Sequence, residues 1–400
     1  MDEAPGENRE GNGIDVRRAT RFVVLLGVVS LFADMTYESA RSISGPFLAL
    51  LGASATVVGV TAGLGELLGY ALRFVSGRIA DRSGRYWAVA IFGYVVNLLA
   101  VPAMALTGHW PAAVALLFLE RIGKALRTPA RDAMLSFAGR RTGRGWGFAL
   151  HEAMDQTGAT VGPLLTAAVL FVRNDYRLCF ALLLIPAVLS LAVLFTARAQ
   201  YPHPRHLEST TPALATRGHA RPFWLYLGAT ACIAAGFADY PLIAYHFEKT
   251  GAVSAQWIPA MYAVAMGVDG LAALAFGRLY DRRGAIVLVA ACLVAVPFAP
   301  LVFVGGPGAA LAGAVLWGIG MGAQESILKA AVADMTPAET RGTAFGLFHL
   351  NFGVFWFLGS ALMGILYDTS LPALVAFSVA AQLLSVPLLW RVARSRLLPA

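Results

Sequence analysis

The 400-residue chain is 58% hydrophobic and only 14% charged, with a formal net charge of +8 and a mean hydropathy of +0.66. Soluble domains carry about a quarter charged residues, so this composition excludes an ordinary polar surface and makes a bilayer the expected solvent. The positive charge comes mostly from arginines in short segments between apolar runs, which argues for cytoplasmic loops and against a nucleic-acid footprint.

The first 20 residues, MDEAPGENREGNGIDVRRAT, are polar and Gly-rich, acidic before they become basic. They lack the basic-then-apolar plan of a cleaved signal peptide and read as a disordered cytoplasmic tail, 1–20. A run of about 20 apolar residues crosses the hydrocarbon core. Twelve such runs follow, at 21–50, 55–77, 87–107, 112–130, 146–171 and 178–197, then 222–247, 255–277, 285–304, 308–331, 342–367 and 371–390. The fold expected is an all-α membrane protein of twelve transmembrane helices in two pseudo-symmetric six-helix bundles, 21–197 and 222–390. A Pro-, Thr- and His-rich cytoplasmic linker, 198–221, separates them, and 391–400 forms a cytoplasmic C-terminal tail.

Basic residues set the orientation. Arg78, Arg82, Arg85, Arg140, Arg141, Arg144, Arg278, Arg282, Arg283, Arg341, Arg391, Arg394 and Arg396 all fall on one side. Arg173, Arg177 and Lys249 fall on the other. The multi-pass chain is therefore expected in the plasma (inner) membrane with both termini cytoplasmic. Cys179, Cys232 and Cys292 lie singly in apolar runs and read as packing residues.

The halves repeat. GRIADRSG at Gly77–Gly84 returns as GRLYDRRG at Gly277–Gly284, each after the second span of its half. Phe32-Ala33-Asp34 returns as Phe237-Ala238-Asp239, and Arg144-Gly145 with Phe148 returns as Arg341-Gly342 with Phe345. Three landmarks in the same order indicate duplication, and paired six-helix halves are a transporter architecture.

At these residues the chain resembles the major facilitator superfamily, whose signature between spans two and three is G-x-x-x-D-R-x-G-R-R. Gly77, Asp81, Arg82, Gly84 and Arg85 match it, while Tyr86 replaces the last basic residue. The second copy keeps Gly277, Asp281, Arg282 and Gly284. The resemblance implies alternating access, with these loops as a conformational gate. Gly158, Gly162 and Pro163 resemble the G-x-x-x-G-P core of the family's antiporter motif. Ala149 stands where an upstream glycine is expected, and Thr166-Ala167 replace a trailing Gly pair. That partial match implies export in exchange for protons. Physically, small residues let two helices approach closely, and the proline removes one backbone donor.

Ionisable side chains avoid spans three, six, nine and twelve, as expected if every third helix faces lipid. The substrate-cavity candidates are Arg41, Glu66, Arg121, Lys124, His151, Asp239, Asp269, Glu325, Lys329 and His349. Arg127, Arg131 and Asp132 are expected at or beyond the cytoplasmic end of span four as solvated or loop braces, and Arg73 belongs with the loop motif. Asp34, Glu38, Glu152 and Asp155 are the proton-coupling candidates, because alternating access lets a deep carboxylate load a proton on one side and release it on the other. Tyr37, Trp146, Tyr240, Trp257, Trp317 and Trp356 are either contacts for an aromatic or amphipathic solute or interface anchors.

An enzyme is not expected. His151-Glu152-Ala153-Met154-Asp155 approaches H-E-x-x-H but has Asp in place of the second histidine, and the chain has no G-x-S-x-G and no phosphate-binding glycine loop. No cofactor and no metal is expected. The reading is a monomeric secondary transporter, a proton-coupled antiporter exporting a small molecule, with substrate, protons and the lipid bilayer as its partners. Two alternatives remain. One is a symporter or facilitator for a small organic anion, motivated by Arg41, Arg121, Lys124 and Arg127. The other is an exporter of a metal ion or chelate, motivated by His151, Glu152, Asp155 and His349.

Overall fold

The structure is a computed structural model describing residues 7–142, 144–203, 221–335 and 341–394. For 7–16, 74, 77–78, 81, 136–142, 144–149, 221, 281, 333 and 341–343 it describes backbone only. Every regular element among the described residues is helical, and the helices assemble into twelve spans. The first half contains α1 (Glu7–Leu50), α2 (Ala55–Ser83), α3 (Tyr86–Ala103), α4 (Trp110–Thr142) and α5 (Arg144–Arg173), then α6 (Tyr176–Leu182) with α7 (Leu184–Gln200) as one span. In the second half, α8 (Arg221–Gly236) with α9 (Tyr240–Thr250) and α11 (Ile286–Ala295) with α12 (Phe298–Phe303) are also two-piece spans. The others are α10 (Trp257–Arg283), α13 (Pro307–Met335), α14 (Arg341–Thr369) and α15 (Leu371–Ala393). Helix α1 is already formed at Glu7, inside the segment that composition assigned to a tail.

Ten of the spans are long and apolar enough to cross a bilayer by composition alone. Helices α4 and α5 fall below that average because they carry Glu120, Arg121, Lys124, Arg127, Arg131 and Asp132, and His151, Glu152 and Asp155. The lipid-facing spans behave oppositely. Phe92 on α3, Ile185 on α7, Leu293 on α11 and Leu384 on α15 are exposed on the outside, where hydrocarbon is the solvent that suits them.

The duplication is visible in the packing. Helix α1 lies along α5 as α8 lies along α14, and α2 lies on α4 as α10 lies on α13. Small residues set the first pair. A Cβ on Gly162 would stand 2.5 Å from the Met35 carbonyl oxygen, and one on Gly158 would overlap the Leu31 carbonyl. In the equivalent pair, a Cβ on Gly359 would overlap the Ala235 carbonyl. Such backbone proximity is how membrane helices gain packing energy without a hydrophobic drive. Helix α5 remains continuous through Pro163.

Span seven departs from its repeat partner. Phe32-Ala33-Asp34 sits inside an unbroken α1, whereas at Phe237-Ala238-Asp239 the helix stops and restarts. Asp239 becomes the N-cap of α9, its Oδ1 accepting from the Tyr240 N–H at 2.9 Å. Pro241 in the first turn has no N–H to offer a continuing helix. The pair Asp239 and Pro241 is thus the local reason for the break.

The two loop glycines of the repeated motif, Gly84 and Gly284, have φ near +64° and +63°. They end α2 and α10 in a conformation that side-chain-bearing residues rarely adopt. Arg82, Arg85 and Arg282 are exposed around them, and Gly277 has open space beside it. The side chain of Asp81, that of Asp281, and the surroundings of Gly77 lie outside the described residues.

The halves meet through α1 on α9, α2 on α14 and α5 on α10. Their hydrogen bonds lie at mid-depth or toward the end opposite the repeated basic loops. Asp368 on α14 accepts from Ala55 N at 3.1 Å, Thr56 N at 2.8 Å and Thr56 Oγ1 at 2.6 Å, so one half caps the first turn of a helix in the other. Tyr245 Oη donates to the Ala53 carbonyl at 3.1 Å, and Tyr176 Oη donates to Glu248 at 2.7 Å. A Cβ on Gly45 would overlap the Pro241 carbonyl oxygen, so α1 and α9 touch backbone to backbone. This end is closed.

Candidate functional site

Between the halves lies a cavity of about 180 Å³. Its first-half wall comes from α1, α2 and α4. On α2, Glu66, Tyr70 and Arg73 follow at i, i+4 and i+7, one helical face. On α14, His349, Phe352 and Trp356 do the same at i, i+3 and i+7. Glu325 and Lys329, one turn apart on α13, are exposed into the cavity on the side of the basic loops.

Glu66 organises the first-half cations. Arg121 Nη1 is 2.9 Å and Arg41 Nη2 3.8 Å from its Oε1. Arg41 Nη2 also reaches across to Asp239 Oδ1 at 2.8 Å. Asp239, 1% exposed, accepts in addition from the Trp356 indole N–H at 3.3 Å. A second bond crosses between the halves where Tyr262 Oη donates to Glu38 Oε2 at 2.5 Å. The Tyr37 hydroxyl accepts from Arg121 and, at 3.5 Å, from Arg41. Lys124 Nζ stands 3.3 Å from the centroid of the same Tyr37 ring. The second-half wall is aromatic. His349 of α14 stacks on Tyr70 of α2 with centroids 5.5 Å apart and planes at 16°, and Phe348, Phe352 and Trp356 extend that surface along α14.

Seven of the ten cavity candidates line the cavity, and three lie elsewhere. Arg41, Glu66, Arg121, Lys124, Glu325, Lys329 and His349 line the cavity, as does Glu38 from the proton-coupling set. Asp239 lies behind it, held by Arg41 and its own helix cap. Asp269 is buried on α10, and its Oδ1 has no hydrogen-bond partner among the described residues. His151 belongs to a separate network inside the first half.

That network joins α1, α4 and α5. His151 Nε2 is 2.8 Å from Ser30 Oγ, and His151 Nδ1 is 3.5 Å from Asp155 Oδ2. Arg131 bonds Ser30 at 3.0 Å and stands 3.7 Å from Asp155 and 2.9 Å from Asp132. Asp34 pairs with Arg127 at 3.5 Å. Arg127 corrects the expectation of a solvated brace. It is 1% exposed, with its guanidinium 4.4 Å from the Tyr94 centroid. The span-four boundary drawn at 130 placed it too near the end, because α4 runs on to Thr142. Glu152 is exposed and takes a 3.4 Å bond from Gln156. His151 and His349 therefore do not converge, and no group of three His, Cys, Asp or Glu among the described residues is arranged to hold a metal ion.

Arg73 is a second correction. It lines the cavity with its guanidinium 5.5 Å from the Tyr70 centroid, while the Asp81 side chain of the loop motif lies outside the described residues. The i, i+4, i+7 spacing from Glu66 was the available signal. Tyr262 and Phe352 carried no charge and gave none. Among the aromatic candidates, Tyr37 and Trp356 line the cavity, Tyr240 and Trp317 are fully buried, and Trp257 is exposed. Trp146 lies outside the described side chains.

The family model described as Major Facilitator Superfamily matches residues 26–360 and again 239–398. The chain belongs to the major facilitator superfamily. Relatives within it include the uncharacterized protein Rv2265 of Mycobacterium tuberculosis, 40% identical over 389 residues that cover 96% of this chain and 95% of that one. The uncharacterized MFS-type transporter MJ1317 of Methanocaldococcus jannaschii is 25% identical over 379 residues, covering 91% and 93%. A crystal structure of a mutant of the nucleoside transporter NupG superposes with a TM-score of 0.77 at 11% identity, covering 92% of this chain and 99% of that one. At that identity the likeness concerns the major facilitator fold alone. The chain is a multi-pass membrane transporter and not an enzyme.

Proposed function

We propose that the protein is a proton-coupled antiporter that exports a small molecule across the plasma membrane by alternating access, as a monomer with both termini in the cytoplasm. In that orientation the basic loops are cytoplasmic, the closed end faces outward and the cavity faces inward. The observation that carries the reading is the pair of charged contacts between the halves, Arg41 with Asp239 and Tyr262 with Glu38. Rocking the halves apart on the closed side has to break both. Protonating Glu38 removes the charge that makes its bond with Tyr262 strong, which gives a physical route from proton loading to movement. The gate role of the two glycine-ended loops, and of Asp34, Glu152 and Asp155 as further proton carriers, belongs to the same proposal.

The test uses protein reconstituted in liposomes. An imposed pH gradient is expected to drive substrate movement, and substrate to drive proton movement. Glu38→Gln is expected to abolish the gradient-driven component by tenfold or more while leaving substrate exchange without a gradient. Gradient-insensitive transport by the unmodified protein sinks the proposal.

A further inference from the structure

We infer that the transported solute is a small planar anion, a single-ring aromatic carboxylate, with its carboxylate held by Lys124 and its ring on the wall formed by Tyr70 and α14. The inference rests on the proposed transport role and names the substrate class for that cavity.

The argument starts with which charges in the cavity already have partners. Glu66 is engaged by Arg121 and Arg41, and Arg41 is further engaged by Asp239. Glu38 is bonded to Tyr262. Lys124 is different. It is half-buried, and no carboxylate oxygen among the described residues lies within 4 Å of its ammonium. The Tyr37 ring beneath it supplies a cation–π contact, which attracts the cation and cancels none of its charge. Arg73 has the same character, with its Nε buried and unbonded and its guanidinium near an aromatic ring. Lys329 adds a third cation from the other half, with no carboxylate among the described residues within 4 Å. Two cavity acids have no cation within 4 Å among the described residues: Glu38, bonded to the neutral Tyr262 hydroxyl, and Glu325, exposed beside Lys329, so the three cations without a carboxylate in contact outnumber them. A half-buried cation without a counter-ion is costly, and an arriving carboxylate removes that cost with a charge-assisted bond.

The remaining wall and the size narrow the class. Across from Lys124, His349 of α14 stacks nearly parallel on Tyr70 of α2, and Phe348 and Phe352 extend the apolar surface along α14. A flat ring suits that wall, in offset or edge contact. The volume of about 180 Å³ is below the roughly 300–1,000 Å³ of sites that hold drug-sized ligands. One ring with a carboxylate fits; a multi-ring cationic drug is opposed by both charge and size.

The experiment measures thermal stabilisation of the purified full-length protein in detergent, with no pH gradient, by benzoate and 4-hydroxybenzoate against benzamide, benzylamine and acetate. The two aromatic carboxylates are expected to raise the Tm in a saturable manner, and the neutral, cationic and non-aromatic probes to leave it unchanged. Lys124→Gln is expected to weaken benzoate about tenfold or more, Lys124→Arg to restore most of the binding, and Arg173→Gln, at an exposed cation outside the cavity, to leave it intact. The folded state of each variant is read from its unliganded Tm. Stabilisation by benzamide or benzylamine equal to that by benzoate, no response to either carboxylate, or undiminished binding in a folded Lys124→Gln variant overturns the inference. Because the measurement involves no gradient, it succeeds or fails independently of proton coupling.

Discussion

Asp34 and Asp239 begin as equivalent residues of a repeated tripeptide and end in different work. Asp34 stays on a continuous helix and neutralises Arg127 inside the first half. Asp239, two residues before Pro241, caps α9 and holds Arg41 across the interface. Breaking a buried pair by removing one partner leaves an uncompensated charge, at a cost of about 3–5 kcal/mol. Asp239→Ala is therefore expected to lower the unfolding stability by roughly that amount, with the added loss of a helix cap. Arg41→Gln should cost less than Asp239→Ala, since the cap remains. Denaturation of the two variants in a common detergent checks the order; equal costs would remove the cap from the account.

At the scale of elements, α1 and α5 form the tightest contact of the first half because Gly158 and Gly162 let a carbonyl ridge of α1 sit against the α5 backbone. Gly158→Leu puts a side chain into that ridge. Overpacking costs about 1–3 kcal/mol in well-packed interiors, and here the neighbour is the Leu31 backbone, which gives way least. The expected result is a Tm loss of several degrees with separation of α1 from α5, whereas Gly277→Leu, where the Cβ meets open space, should be tolerated for stability. Comparable losses in the two variants would refute the packing argument. The motif glycines thus divide by physics: Gly158 and Gly162 serve approach, and Gly84 and Gly284 serve a turn.

For the whole molecule, Asp368 is the outermost clamp between the halves. Its three bonds to Ala55 and Thr56 exist only while that end is shut. Losing a helix cap costs about 0.5–2 kcal/mol, so Asp368→Ala is expected to shift the balance toward the state open on that side by about two- to thirtyfold. A cysteine introduced as Thr56→Cys, read by labelling with an impermeant maleimide in intact cells, should react faster in the Asp368→Ala background. Lys329→Cys, in the cavity open to the other side, should react more slowly when the same reagent is applied to inside-out vesicles. No change in either rate would show that the clamp does not set the equilibrium.

Hydropathy and charge, read along the chain, were enough for twelve spans, two halves and the superfamily, because a bilayer forces each of these to be written locally: runs of about 20 apolar residues, arginines at their ends, glycines at their turns. The membership of the cavity was largely legible too, since ionisable groups in hydrocarbon have few other places to go. Pairing was not. Arg127 looks from its position like the end of a span and is instead fully buried against Asp34, because helix α4 extends further than its apolar run. Asp239 looks like a cavity acid and is instead a clamp, because its partner Arg41 lies 198 positions away in sequence. Glu152 and His349, equivalent in the repeat, face different surroundings, Glu152 being exposed beside Gln156 and His349 stacked on Tyr70. Which cavity cations lack a carboxylate in contact is likewise a property of distances between helices, and Lys124, Arg73 and Lys329 stand out only once the helices are packed together. The sequence by itself determined where charge must be sheltered; the tertiary structure decided which charges are in contact with a counter-ion and which are not, because cancellation depends on a few ångströms between residues far apart along the chain.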